Sequence, residues 1–436
     1  MYKRQPLLPA VIGLEAMAQV AGALAEARFG ASQPPVFEDV RFSRPVHIPD
    51  GASVTVRLAA LVRSPGVVEV VLRSSETAFQ VDHFRAVCRF GKAGETACPT
   101  CLTGPTLPID PGCDLYGSIL FHSGRFRRLR AYHRLSATEC IAEIAHDGEG
   151  DWFARYLPAT LALGDPGARD AFIHCVQACI PHATVLPVGV EKIAFARAGK
   201  PGPRYVHARE RSANGGRLIY DLDVTDAAGA PIERWDGLQL QVVGATSRKL
   251  SWVTPLLGPY LERKIREMAP GAEISIAMGQ NGSSRQAIEQ ALGFQTAVSK
   301  RLDGKPEVNG HRVSASYAGD VLGAAAGASA AGCDLEPVLA RPAAVWRDLL
   351  GPQGFALAEL IARESGDDAS MAATRVWCAM ECLKKSGALH DRPLVFSGVR
   401  PDGWIEMCAG QSRILTYRAS LRNVEVPLAF AVMIEE

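Results

Sequence analysis

The chain has 436 residues, 47% of them hydrophobic, enough to bury two or three cores. Its 47 basic and 46 acidic side chains nearly cancel, which removes any electrostatic reason to expect nucleic acid or a membrane surface as partner. Eleven scattered Cys, no recognisable secretory leader and no uninterrupted apolar run of bilayer length point to a reducing, cytoplasmic setting.

The chain opens "MYKRQPLLPAVIGLEAMAQV", and apolar spacing predicts a helix from Ala10 to Arg28. Alternating strands follow in "SVTVRLAALV", "VVEVVLRS" and "HFRAVCRF", completing an α+β unit by about Gly91. The connector "CPTCLTGPTLPIDPG" is rich in Pro and Gly. Its Cys98 and Cys101 have redox or zinc spacing, but no second Cys or His pair lies near them, so a loop is expected. A helix near "ARDAFIHCVQACIP" and strands at "VGVEKIAFAR", "RYVHARERSA", "RLIYDLDVTD" and "GLQLQVV" then repeat the helix-then-strands order, as a duplicated fold would. A third segment begins near residue 250.

That third segment carries paired carboxylates. In "GASAAGCDLEPV", a strand places Asp334 and Glu336 on one face, and two adjacent oxygen ligands suit a hard cation such as Mg²⁺. In "ATRVWCAMECLKKSG", Trp377, Glu381 and Lys385 share one side of a helix. Either motif alone also fits a solvated strand edge or an ordinary surface pair.

Taken together with Gly304-Lys305-Pro306 and "SASYAG" from Ser314, these motifs resemble the 4′-phosphopantetheinyl transferases of the surfactin-synthetase type over most of residues 270 to 436. The resemblance implies that Asp334, Glu336 and Glu381 bind Mg²⁺. It further implies that Lys305, Pro306, Ser316, Tyr317 and Lys385 bind coenzyme A, with Lys305 and Lys385 facing its phosphates. Glu381 and Lys385 would act in catalysis, Glu381 helping to deprotonate the serine of an acyl carrier protein. A metal and flanking lysines would stabilise charge on the pyrophosphate being cleaved. Tyr317 stands where the family has a phosphate-binding His, and Met380 replaces the Lys before Glu381.

The first two segments resemble a double hot-dog dehydratase of a polyketide synthase. The family's Asp-x-x-x-Gln/His motif matches Asp170 and His174 in "GDPGARDAFIHCVQACIPHATVLPVGVEKI". Asp170 would be the general acid toward a departing β-hydroxyl, and His174 would orient it. A plain acid at a helix N-terminus is the competing reading of Asp170; His83 and His182 are read as structural or surface residues.

The family's base is a His in the pattern His-x-x-x-Gly-x-x-x-x-Pro. If Pro9 is its last position, nine residues back falls before Met1, and five back is Arg4 rather than Gly. The imidazole is therefore expected to be missing and the dehydratase inactive. "MYKRQ" can be spelled GTG TAT AAG AGA CAG, the end of a transposon adapter, so Met1 to Gln5 are expected not to be biological.

A dehydratase joined to such a transferase resembles the terminus of iterative enediyne polyketide synthases. The expected fold class is α+β: a double hot dog followed by a pseudo-twofold α+β transferase. The expected domains are residues 1–105 and 106–247 for the two hot dogs, 248–270 for a linker and 271–436 for the transferase. The expected cofactor is Mg²⁺, with coenzyme A as donor; the partner is an acyl carrier protein domain, with no nucleic acid and no membrane. The hot dogs allow a homodimer. Rival readings are a catalytically silent scaffold and a hot-dog acyl-thioester hydratase or thioesterase, since fold does not fix function.

Overall fold

The computed structural model describes residues 6–31, 33–91, 105–146, 152, 161–196, 202–246, 251–302, 304–387 and 392–435. Met1 to Gln5, Cys98 and Cys101 lie outside the described residues. Two compact units emerge: one runs to Thr246 and the other starts at Ser247, with 135–137 and 179–181 grouped with the second.

Among the described residues, the first unit is a ten-stranded sheet with two α-helices. Helix α1 (Ala10–Phe29) starts after Pro9 and stops at Gly30, whose φ of 67° gives the left-handed conformation that closes a helix. Its length and hydropathy would also suit a membrane span. Here, however, Val11, Leu14, Met17, Ala18, Ala21 and Ala25 are buried, and the helix packs on strands β2 (Val56–Ser64), β3 (Val67–Ser74) and β4 (Phe84–Arg89). Glu15 is fully buried on the same helix and accepts backbone N–H groups of Ala162 and Leu163 at 2.6 and 2.8 Å, so both carboxylate oxygens are used.

Strand β1 (Val36–Phe42) pairs antiparallel with β4 on one side and with β7 (Ala183–Phe195) on the other, fusing the two halves into one sheet. The remaining strands are β5 (Leu129–Leu135), β6 (Glu139–Ile144), β8 (Arg204–Asn214), β9 (Arg217–Asp226) and β10 (Pro231–Ala245). The sheet order is β2-β3-β4-β1-β7-β10-β9-β8-β6-β5.

Helix α2 (Pro166–His174) is capped by Asp165, whose carboxylate accepts from Gly167 N at 2.8 Å, with Pro166 in the first turn. Every residue of α2 is buried. The expected helix-then-strands order is corrected for the second half, because β5 and β6 precede α2. Their sequences, LRAYHRL and ECIAEI, mix polar and apolar residues too irregularly for a period of two to show.

The linker expected at 248–270 is also corrected. It contains helix α3 (Thr254–Met268), and Leu257, Tyr260, Leu261 and Ile265 enter the core of the second unit. Within that unit β11 (Ser275–Gln280), β14 (Val313–Ala318) and β15 (Val321–Ala326) form a three-stranded sheet covered by α4 (Ser284–Leu292). A short ladder joins β12 (Ser299–Lys300) to β13 (Pro306–Glu307). The five-stranded sheet runs β16 (Ala330–Pro337), β20 (Leu428–Ile434), β19 (Ser412–Ala419), β18 (Ile405–Ala409), β17 (Val395–Val399). Helices α5 (Ala343–Ser365) and α6 (Ala369–Ser386) pack together, and α6 lies on β16 and β20.

Candidate functional site

Asp170 and His174 are one helical turn apart on α2, and the spacing does bring them together: His174 Nδ1 lies 3.3 Å from Asp170 Oδ2. Asp170 is the fifth residue of α2, so the alternative of a simple helix-terminus acid is not what the structure shows. Two further side chains complete the cluster. His122 Nε2 lies 3.2 Å from the same Asp170 oxygen, and Tyr116 Oη lies 3.1 Å from His174 Nε2. The phenol oxygen also accepts from Leu129 N at 3.0 Å, which fixes its position. The His122 and His174 rings lie against each other, tilted by 30° with centroids 4.0 Å apart.

Burial sets the protonation states. It raises the Asp170 carboxyl above the usual carboxylate range, against the pull of His122. It drives His174 down to about 3, and burial followed by the neighbouring His174 does the same to His122. The Tyr116 phenol is pushed up to about 12, again chiefly by burial. At neutral pH the cluster therefore holds two neutral imidazoles beside a carboxyl that burial shifts toward its acid form. Among the described residues, His122, Asp170 and His174 are the only group of three His, Cys, Asp or Glu donors within 4.8 Å of one another.

Sequence reasoning missed His122 and Tyr116. Both come from the connector between the turn at Pro111–Leu115 and β5, where no periodic pattern marks a residue. His83, expected to be structural, is fully buried; its Nε2 contacts Ser74 Oγ at 2.9 Å and its Nδ1 the Arg44 carbonyl at 3.2 Å.

In the second unit, the pleat of β16 puts Asp334 and Glu336 on one face. Asp334 Oδ1 accepts from Lys385 Nζ at 2.7 Å and from Ser316 Oγ at 2.8 Å. Its second oxygen, Oδ2, is buried without a hydrogen-bond partner. Glu336 Oε1 accepts from Trp377 Nε1 at 3.3 Å, so the Trp at the start of the α6 motif touches the strand motif directly. Burial, then the Asp334 charge, raise the Glu336 pKa. Burial opposes the charge on Lys385, yet Asp334 beside it holds the ammonium pKa above its usual value.

Not every expected residue joins this group. Glu381 is engaged by Lys384 on its own helix, and the three carboxylates Asp334, Glu336 and Glu381 do not converge within 4.8 Å. Lys305 Nζ donates to the Lys384 carbonyl at 3.1 Å, and Pro306 pairs with Lys300. Ser316 and Tyr317 are neighbours on β14 and point to opposite faces, Ser316 inward to Asp334 and Tyr317 half exposed. An orphaned buried oxygen on Asp334 beside a carboxyl already perturbed by its neighbour is a donor set that fits a hard cation at Asp334 and Glu336.

Residues 99–249 match the family model of the polyketide synthase dehydratase N-terminal domain. The matched stretch is the second of the two helix-and-strand halves and contains all four residues of the Asp170 cluster. Among solved structures, the chain is similar to a dehydratase domain of a mycocerosic acid synthase-like polyketide synthase, at 19% identity over 57% of this chain and 84% of that one, with a TM-score of 0.42. The dehydratase domain of PpsC from Mycobacterium tuberculosis, in complex with C12:1-CoA, gives 17%, 55%, 86% and 0.43 in the same order. GphF dehydratase 1 gives 22%, 56%, 86% and 0.42. No curated protein sequence matches the chain.

Proposed function

We propose that the chain is the dehydratase and phosphopantetheinyl transferase portion of a cytoplasmic polyketide synthase of the iterative enediyne type, acting on an acyl carrier domain. The observation that carries the first activity is the buried Asp170 carboxyl, biased to its acid form and touched by His174. In dehydration of a β-hydroxyacyl thioester, an imidazole base removes the α-proton, the Cα–Cβ double bond forms, and the Cβ–O bond breaks. Asp170 gives its proton to the departing hydroxyl, which leaves as water.

Dehydration of a β-hydroxyacyl pantetheine thioester with imidazole added is the direct test. The chain should dehydrate a β-hydroxyacyl pantetheine thioester when imidazole is supplied, and Asp170→Asn should not. Equal product from both proteins would remove Asp170 from the reaction.

The transferase reading is favoured by the orphaned Asp334 Oδ2 next to Glu336. Those two carboxylates would hold Mg²⁺, which supplies charge stabilisation for the pyrophosphate of coenzyme A. Lys385 and Ser316 orient Asp334, and Trp377 orients Glu336. Incubation of an apo carrier protein with the chain, coenzyme A and Mg²⁺ should add one phosphopantetheine by mass. A mass shift that survives replacement of both Asp334 and Glu336 by Ala would overturn this assignment.

A further inference from the structure

We propose that His122 is a positioning residue that fixes which oxygen of Asp170 carries the acid proton; the proposal rests on the dehydratase reading above. The argument begins at Tyr116. Its oxygen accepts from Leu129 N, so its single O–H is free to point at His174 Nε2, 3.1 Å away. That leaves the His174 proton on Nδ1, directed at Asp170 Oδ2. His122 reaches the same Oδ2 with its Nε2 at 3.2 Å, while its Nδ1 is buried with no hydrogen-bond partner. Among the described residues, the Asp170 carboxyl is the acceptor within reach of a His122 N–H, so the proton sits on Nε2.

The His174 N–H thus bonds to Oδ2, and His122 Nε2, at ion-pair distance from the same oxygen, reserves it as an acceptor. The acid proton is held on Oδ1, the oxygen neither ring touches. A carboxylic acid with only one oxygen available to donate presents its proton in one direction, which general acid catalysis toward a β-hydroxyl requires. In the step itself the Oδ1 proton passes to the hydroxyl as the Cβ–O bond breaks. The carboxylate left behind accepts both N–H groups, and the proton taken by the imidazole base from Cα balances the one lost. The titratable side chains facing the carboxyl are His122 from the connector and His174 from its own helix, with Tyr116 behind His174.

The test uses the full chain labelled with ¹³C at the Asp side-chain carboxyl, the Asp170 signal being assigned by its loss in Asp170→Asn. His122→Leu removes the donor. Its expected effect is an upward move of the Asp170 titration midpoint by about one pH unit, a tenfold change, because an N–H bond favours the ionised form. His122→Gln places an amide N–H near the Nε2 position and should restore the wild-type midpoint. Imidazole ¹⁵N shifts should show His174 protonated on Nδ1 and His122 on Nε2. In the imidazole-supplied dehydration assay, kcat should fall at least tenfold in His122→Leu and recover in His122→Gln, with the alkaline limb following the midpoint.

An Asp170 midpoint indifferent to His122→Leu, or the opposite tautomers, would overturn the proposal even where wild-type turnover upholds the dehydratase reading. Absence of wild-type turnover, with the midpoint shift and tautomers as expected, would instead sink the dehydratase reading and leave a hydrogen-bonded cluster without that reaction.

Discussion

Lys385 Nζ on α6 lies 2.7 Å from Asp334 Oδ1, tying the helix motif to a strand carboxylate that is only 3% exposed. Removing the ammonium leaves a buried charge with a single Ser316 hydroxyl at that oxygen, and losing one partner of a buried pair costs about 3–5 kcal/mol. Neutralising both partners removes the charge along with its partner. Lys385→Met is therefore expected to lower the urea midpoint more than the double variant Asp334→Asn with Lys385→Met. Equal losses in the two proteins would show that the pair is not coupled.

Gly332, two residues before Asp334, has a spatial reason to be glycine. A Cβ there would sit 2.6 Å from the Cys382 carbonyl oxygen of α6, and backbone cannot swing aside as a side chain can. Forcing α6 off the strand by one methyl costs roughly 1–3 kcal/mol and moves Lys385 relative to Asp334. Gly332→Ala should lower the thermal midpoint of the second unit and reduce carrier priming more than an exposed substitution such as Val399→Ala does. A variant with wild-type melting and priming would count against the close-packing account.

Legibility in the sequence followed local composition and alternation. Ala10 to Arg28 is rich in helix formers and "RLIYDLDVTD" alternates, and the observed helix and strand lie within a residue of the reading. The helix at Thr254–Met268 was hidden because Pro255, Gly258 and Pro259 resemble linker punctuation, although their neighbours are buried. Asp170 and His174 came from the resemblance to the dehydratase motif, and the i, i+4 spacing on a helix then brings the two side chains together. His122 could not be placed in this way, because what brings it to Asp170 is an irregular connector, and no local rule sets its course. Ser316 and Tyr317 were grouped by sequence adjacency, which a strand converts into opposite faces.

The first unit has its own buried pair. Arg169 on α2 forks onto Glu233 on β10, the side chains 3% and 4% exposed, and Trp235 Nε1 donates to Glu233 Oε2 at 3.0 Å. Arg169 also donates to the Leu163 carbonyl, which lies beside the Leu163 amide held by Glu15. Arg169 thus anchors the helix that carries Asp170 to the sheet. Arg169→Met should destabilise the first unit by about 3–5 kcal/mol in urea unfolding, whereas Glu233→Gln, which keeps an acceptor for the guanidinium, should cost less. The reverse ranking would show that Glu233 matters chiefly through Trp235.

Acid should weaken the first unit through the His122 and His174 pair. In the unfolded chain both imidazoles take up protons near pH 6.5, but burial holds them neutral in the native state down to about 3. Between those values the unfolded state binds more protons, so stability falls as pH falls from about 6.5 toward 3. Asp170 works in the opposite sense: its carboxyl keeps a proton in the native state that the unfolded chain releases above about 3.8, so it subtracts stability as pH rises through that window. Two imidazoles oppose one carboxyl, and the net slope is expected to favour neutral pH. Replacing both His122 and His174 by Gln removes the imidazole contribution while leaving the amide donors. The urea midpoint of that double variant should depend less on pH between 6.5 and 4 than the wild type's, and an unchanged slope would show that the two rings are protonated equally in both states.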